Sequence, residues 1–89
     1  MQTREDCQLV LVEWLDSRQP IASWMRLSEF ETQGVCKCVS VGFVLKKERG
    51  EIVLSPNMAD IEDEQNIQTC GVIHIPLACV TKITGLAEQ

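Results

Sequence analysis

The chain has 89 residues, 45% of them apolar and 24% charged, and a formal net charge of −5. That allows one small folded domain, residues 1–89, and excludes a disordered tail or a large enzyme scaffold. The acid surplus disfavours duplex DNA, whose phosphates need a basic face. The longest apolar run, Leu9–Val12, is far short of the roughly 20 residues of a membrane helix, and the polar start Met1–Asp6 does not read as a signal peptide, so the cytoplasm is the expected setting.

Gln8–Asp16 places Val10, Val12 and Trp14 on one face and Leu9, Leu11, Glu13 and Leu15 on the other. This period-2 pattern predicts a strand covered on both sides. Asp16–Pro20 is turn chemistry. Ile21–Leu27 reads as a short strand or an irregular excursion carrying Trp24, and Ser28–Glu31 as one helical turn with a serine cap. Val35–Lys47 is the longest predicted strand. Its bulky odd positions, Val39, Val41, Phe43 and Leu45, are expected to face the core. Its small even positions, Cys36, Cys38, Ser40 and Gly42, are expected outside. Gly42 marks a bend or a close backbone approach.

Glu48-Arg49-Gly50 predicts a hairpin turn with glycine at positive φ. Glu51–Met58 is a strand that Pro56 ends or demotes to an edge. Asp60–Glu64 holds four acids in five residues, the composition of a solvated loop. Ile67–Pro76 reads as one strand with Ile73 and Ile75 inward and His74 outward. Pro76–Cys79 fits a single 3₁₀ turn, and Thr81–Leu86 a last short strand.

Five or six short strands, one of them long and bent, and a 3₁₀ turn before the last make the chain mainly β. Over Val35–Leu86 the order resembles SH3-like barrels, including the Sm-like branch, whose closure removes exposed edges. A second resemblance covers most of the chain. Val12–Ser17, Trp24, Ser40–Phe43, Leu54–Asp60 and Gly71–Pro76 resemble a family of small accessory proteins of tailed bacteriophages and prophages. That resemblance implies a phage-encoded protein and transfers no catalytic residue.

The five cysteines, Cys7, Cys36, Cys38, Cys70 and Cys79, read as thiols of a reducing compartment. Cys36, Cys38, Cys70 and Cys79 with His74 supply zinc-type donors, but Cys36-x-Cys38 lacks the usual ligand spacing. No metal or other cofactor is expected. No nucleophile–base pair is recognisable around His74 and Cys70, so no catalytic residue is assigned.

The candidate contact residues are Trp24, Arg26, Lys37, Lys46, Lys47, Arg49, Ser55 and Asn57. Trp24 fits either core packing or an interface anchor. Lys37, Lys46, Lys47 and Arg49 form a basic group opposite the acidic Asp60–Glu64 block, which suits assembly of a homo-oligomer. The expected function is non-enzymatic: a binding protein that counters a host defence factor, its partner a host protein or a small signalling nucleotide. The alternatives are an Sm-like barrel binding RNA, with Trp24 or Phe30 as a stacking surface, and a structural virion component.

Overall fold

Alternating apolar side chains build seven strands in the computed structural model, which describes residues 3–19 and 23–88. They are β1 (Leu9–Asp16), β2 (Cys36–Glu48), β3 (Glu51–Ser55), β4 (Asn57–Ala59), β5 (Gln68–Cys70), β6 (Ile73–Pro76) and β7 (Val80–Gly85). Single 3₁₀ turns occupy Arg4–Asp6, Leu27–Glu29 and Leu77–Cys79. The chain is mainly β, as its patterning predicts.

The strands form two sheets. The larger has the order β6-β3-β2-β1-β7 and the smaller pairs β4 with β5. Every pairing is antiparallel. Leu77–Cys79 carries the chain from β6, at one edge, to β7, at the other. No ladder joins those two edges among the described residues.

The core consists of Val10, Val12, Ile52, Leu54 and Ile75, each at most 1% exposed. Trp14, Val44, Ile73, Leu77, Val80 and Ile83 pack against it. Each buried aliphatic side chain contributes about 1.5–3 kcal/mol of transfer free energy. The indole of Trp14 stays partly buried because its Nε1–H has a partner, the Ser40 Oγ at 3.0 Å, which removes the penalty of an unpaired donor.

The register corrects the expectation for β2. Val10 lies opposite Gly42, Val12 opposite Ser40 and Trp14 opposite Cys38. Directly opposed residues share a face, so the small even positions of β2 face the core. The bulky odd positions Val39 and Val41 face outward and are 64% and 49% exposed. Volume explains the inversion. Val10, Val12 and Trp14 already fill the space over this part of the sheet, and β2 must present small groups beneath them. A bulge between Val44 and Lys46 then shifts the register before β3, so one alternation does not run the length of the strand.

Two predicted strands are each broken once. Pro56 separates β3 from β4, and Gly71, at φ +83°, separates β5 from β6. At both breaks the chain passes between the larger and the smaller sheet. Ser55 joins them. It is fully buried; its Oγ lies 2.9 Å from the Asn57 carbonyl and 3.1 Å from the Cys70 carbonyl. It also accepts from the Asn57 N–H at 3.2 Å and from the Thr69 hydroxyl at 2.5 Å.

The remaining expectations differ in detail. Arg49 and Gly50 both take positive φ, +54° and +78°, between the paired residues Glu48 and Glu51. This is the two-residue type I′ hairpin. The turn after Trp24 covers Leu27–Glu29 with Arg26 at its cap, so Ser28 lies inside the turn and does not cap it. Residues 23–26 form no strand, and Ile21 and Ala22 lie outside the described residues. At the start of the chain, Asp6 accepts hydrogen bonds from the Thr3 N–H and hydroxyl, both at 2.9 Å. These bonds hold its carboxyl below the ordinary value, since they favour the charged form. No helix among the described residues is long and apolar enough to cross a membrane.

Candidate functional site: an apolar arm and an uncovered sheet face

The chain between β1 and β2 leaves the sheet at Asp16 and returns at Cys36, two residues paired at the end of the ladder. All described residues from Ser17 to Val35 are exposed. This arm carries Trp24 at 104% exposure, Leu27 at 89%, Met25 at 57% and Phe30 at 53%. Met25 and Phe30 line an open hollow of about 460 Å³ with Arg18, Ser23, Glu31 and Gly34. A single exposed leucine needs no explanation, but several large apolar side chains on one segment mark an interaction surface.

A second apolar surface lies on the sheet itself. Register places Leu11 opposite Val41, Glu13 opposite Val39 and Leu15 opposite Lys37, all on the face away from the core. β7 adds Lys82 opposite Glu13 and Thr84 opposite Leu11. The 3₁₀ turn at the start of the chain covers one end of this face: the Arg4 guanidinium sits 5.5 Å from the Phe43 ring centroid and pairs with Glu88. Val39 and Val41 are left open.

Global dimensions agree with these local exposures. The accessible surface is 7210 Å², where a compact monomer of 10.0 kDa has about 5,200 Å². The radius of gyration is 17.5 Å and the longest extent 59 Å, where a compact domain of this length has a radius of about 12 Å.

The other candidate residues are distributed over the molecule. Arg26 is exposed on the arm, and Lys37 is exposed on the outer face of β2. Lys46, Lys47 and Arg49 are exposed at the β2–β3 hairpin, where Lys46 makes a loose ion pair with Glu48 at 3.9 Å. The full length of β2, about 40 Å of strand, separates that hairpin from the arm. The basic group therefore does not gather around Trp24 or Phe30. Asn57 is exposed, and its side-chain amide donates to the Cys70 carbonyl at 3.2 Å. Ser55 is a correction: it is inaccessible from outside, and its hydroxyl serves the junction between the sheets.

The chemistry-bearing residues are also apart. His74 is exposed on β6, its Nδ1 3.1 Å from the Glu51 Oε1. Cys70 lies on the other sheet, beyond the turn at Gly71. The strand alternation that would have put it beside His74 does not cross that turn. Cys36 and Cys38 share the core side of β2 with their sulfurs 3.8 Å apart. Burial, the neighbouring Cys36 and Asp16 push the Cys38 thiol upward. Among the described residues, no group of three or more His, Cys, Asp and Glu side chains is placed to hold a metal ion.

The acidic segment is ordered by its own polar groups. The Asp63 N–H donates to the Asp60 carbonyl at 3.1 Å, and the Asn66 side chain donates to the Asp63 carboxylate at 2.6 Å. Its acids remain exposed.

The chain matches no protein-family model, no curated protein and no solved structure.

Proposed function

We propose that this chain is a phage-encoded, non-enzymatic binding protein that counters a host defence factor through protein–protein contact. Its fold, on this reading, is a small SH3-like barrel. The strand order supports that assignment: a meander through β1, β2, β3 and β6, then a 3₁₀ turn that returns β7 beside β1. The segments Val12–Ser17, Ser40–Phe43, Leu54–Asp60 and Gly71–Pro76 support the phage assignment by resemblance.

One observation carries the functional reading. Trp24, Met25, Leu27 and Phe30 stand in solvent on an arm, where an isolated domain gains nothing from them. Tryptophan and phenylalanine in that setting are the anchors of protein interfaces. The arm is open rather than enclosing, so a protein partner suits it better than a small molecule, which needs a pocket that buries most of its surface.

The test is photo-crosslinking in infected cells, with a photoreactive residue in turn at Trp24, Lys47 and Ile61. The expected product is an adduct with a host protein from at least one position. Adducts confined to capsid or tail proteins would instead identify a virion component. Recovery of RNA without protein adducts would establish the nucleic-acid alternative. Either result overturns the proposal.

A further inference from the structure

The arm and the uncovered sheet face fit one another, and their geometry points to a second copy of the chain. We propose that the arm of one copy docks on the outer β1–β2–β7 face of another, and that the exchange is reciprocal. This rests on reading the arm as a protein-binding element and names its first partner.

Area is the first argument. The chain exposes about 2,000 Å² more than a compact monomer of its mass. A standard protein interface takes about 800 Å² from each partner, so arm exchange fits comfortably within the excess. The sheet face alone does not suffice. Three strands spaced about 4.8 Å apart and some seven residues long present only about 350 Å². The arm has to supply the rest.

Charge is the second argument. The distal half of the arm, Trp24–Val35, carries one base and two acids, Arg26, Glu29 and Glu31, with Arg18 nearer its root. The outer face carries the reverse set: Glu13 between Lys37 and Lys82. Glu29 and Glu31 flank Phe30; on the face, Glu13 lies directly opposite Val39 and Lys37 lies two residues along β2 from it. Seating the aromatic side chains on Val39 and Val41 therefore brings two acids to a face that carries two lysines against one acid. Such complementarity selects register and partner more than it adds affinity. The apolar contact supplies the affinity, and a two-fold arrangement makes it twice per pair.

A closed pair also satisfies both surfaces together. In one copy, arm and face are each left bare. In the pair, each arm covers the face that its partner leaves open, and no bare patch remains to recruit further copies. The basic hairpin and the acidic loop stay outside, available to a host factor.

The experiment is light scattering coupled to size exclusion, from 1 to 100 µM, on the full chain and on two surface variants. Trp24→Ser removes the arm's anchor and Val39→Glu places an acid on the face. Both positions are solvent-exposed, and circular-dichroism melts verify that each variant folds. The full chain is expected to have twice the monomer mass. Each variant alone is expected to associate at least tenfold more weakly. Mixing the two should restore a mixed pair, because the intact arm of the Val39→Glu chain meets the intact face of the Trp24→Ser chain.

A full chain that stays monomeric at 100 µM overturns the proposal. So does a Val39→Glu chain that associates normally, or a mixture that fails to recover. A monomer in which Val39→Glu red-shifts the emission of a Trp14→Phe chain, where Trp24 alone reports, also overturns it, by showing that the arm folds back on its own sheet. A monomer that still crosslinks to a host protein through position 24 refutes only the exchange. Pairs that form without any host adduct refute only the functional reading.

Discussion

A methyl group added to Gly42 would stand 2.9 Å from the Ser55 carbonyl oxygen and 3.0 Å from its carbonyl carbon. Both atoms are main chain, so neither can swing aside. Gly42 lets β2 and the end of β3 approach where the chain leaves the larger sheet for the smaller one. Gly42→Ala should therefore lower stability by about 1–3 kcal/mol, as overpacking does, which is about 4–8 °C in Tm for each kcal/mol. Thermal melts of the two chains check this. An unchanged Tm would mean that Ser55 does not come so close.

Ser55→Ala tests the other side of the same junction. The substitution fits the space but takes the acceptor from the Asn57 N–H and leaves the Thr69 hydroxyl only its 3.0 Å bond to the Asn57 carbonyl. The expected loss is about 0.5–1.5 kcal/mol, the net worth of a typical hydrogen bond, because the groups left behind are solvent-exposed. Amide exchange should rise first in β4 and β5, which the junction ties to the larger sheet.

Arg49 occupies the left-handed region at φ +54°, a conformation that disfavours a long side chain by about 1–2 kcal/mol. Asparagine is the favoured residue before glycine in a type I′ turn. Arg49→Asn should raise stability by about 0.5–1 kcal/mol, measured as a higher urea midpoint with an unchanged slope. A lower midpoint would indicate that the arginine side chain makes a contact that outweighs its backbone strain.

Thiol reactivity should follow position. Cys70 is exposed and should label first with iodoacetamide. The Cys38 thiol is raised above its ordinary value by burial and by Cys36. At pH 8 it holds less thiolate than an ordinary cysteine, and only the thiolate reacts. Its labelling should lag behind Cys70 and accelerate as pH rises past 9. Mass spectrometry of timed digests resolves the order. Equal rates would mean that the core side of β2 opens on the labelling timescale.

Much of this architecture is legible in the residues. The limits of β1 and β2, the Arg49-Gly50 turn, the Leu77–Cys79 turn and the inward Ile75 all follow from alternation and turn chemistry. The orientation of β2 does not. Alternation defines two faces but leaves open which one meets the core. Bulk normally decides, and here the volume already taken by Val10, Val12 and Trp14 outweighs it. The break at Pro56 is legible, since proline cannot donate to a ladder; the break at Gly71 is hidden, because it lies within a run that alternates as one strand. Trp24 fits core packing and solvent exposure alike from its neighbours. Its placement depends on the whole excursion from Asp16 to Cys36, which no local pattern encodes.

The pairing of β1 with β7 has a kinetic consequence. Glu13 lies opposite Lys82 and Val12 opposite Ile83, so an early strand of the chain gains its second neighbour only when one of the latest has been made. Contacts of such long sequence separation slow folding, because the intervening chain must be ordered before the contact forms. Throughout that interval β1 presents an unpaired edge that another nascent chain can join. Its run Leu9–Val12 favours that error, and Glu13 sits at the end of the run, where a charge interrupts intermolecular pairing. Glu13 thus has a task before the native state exists: guarding β1 until β7 arrives.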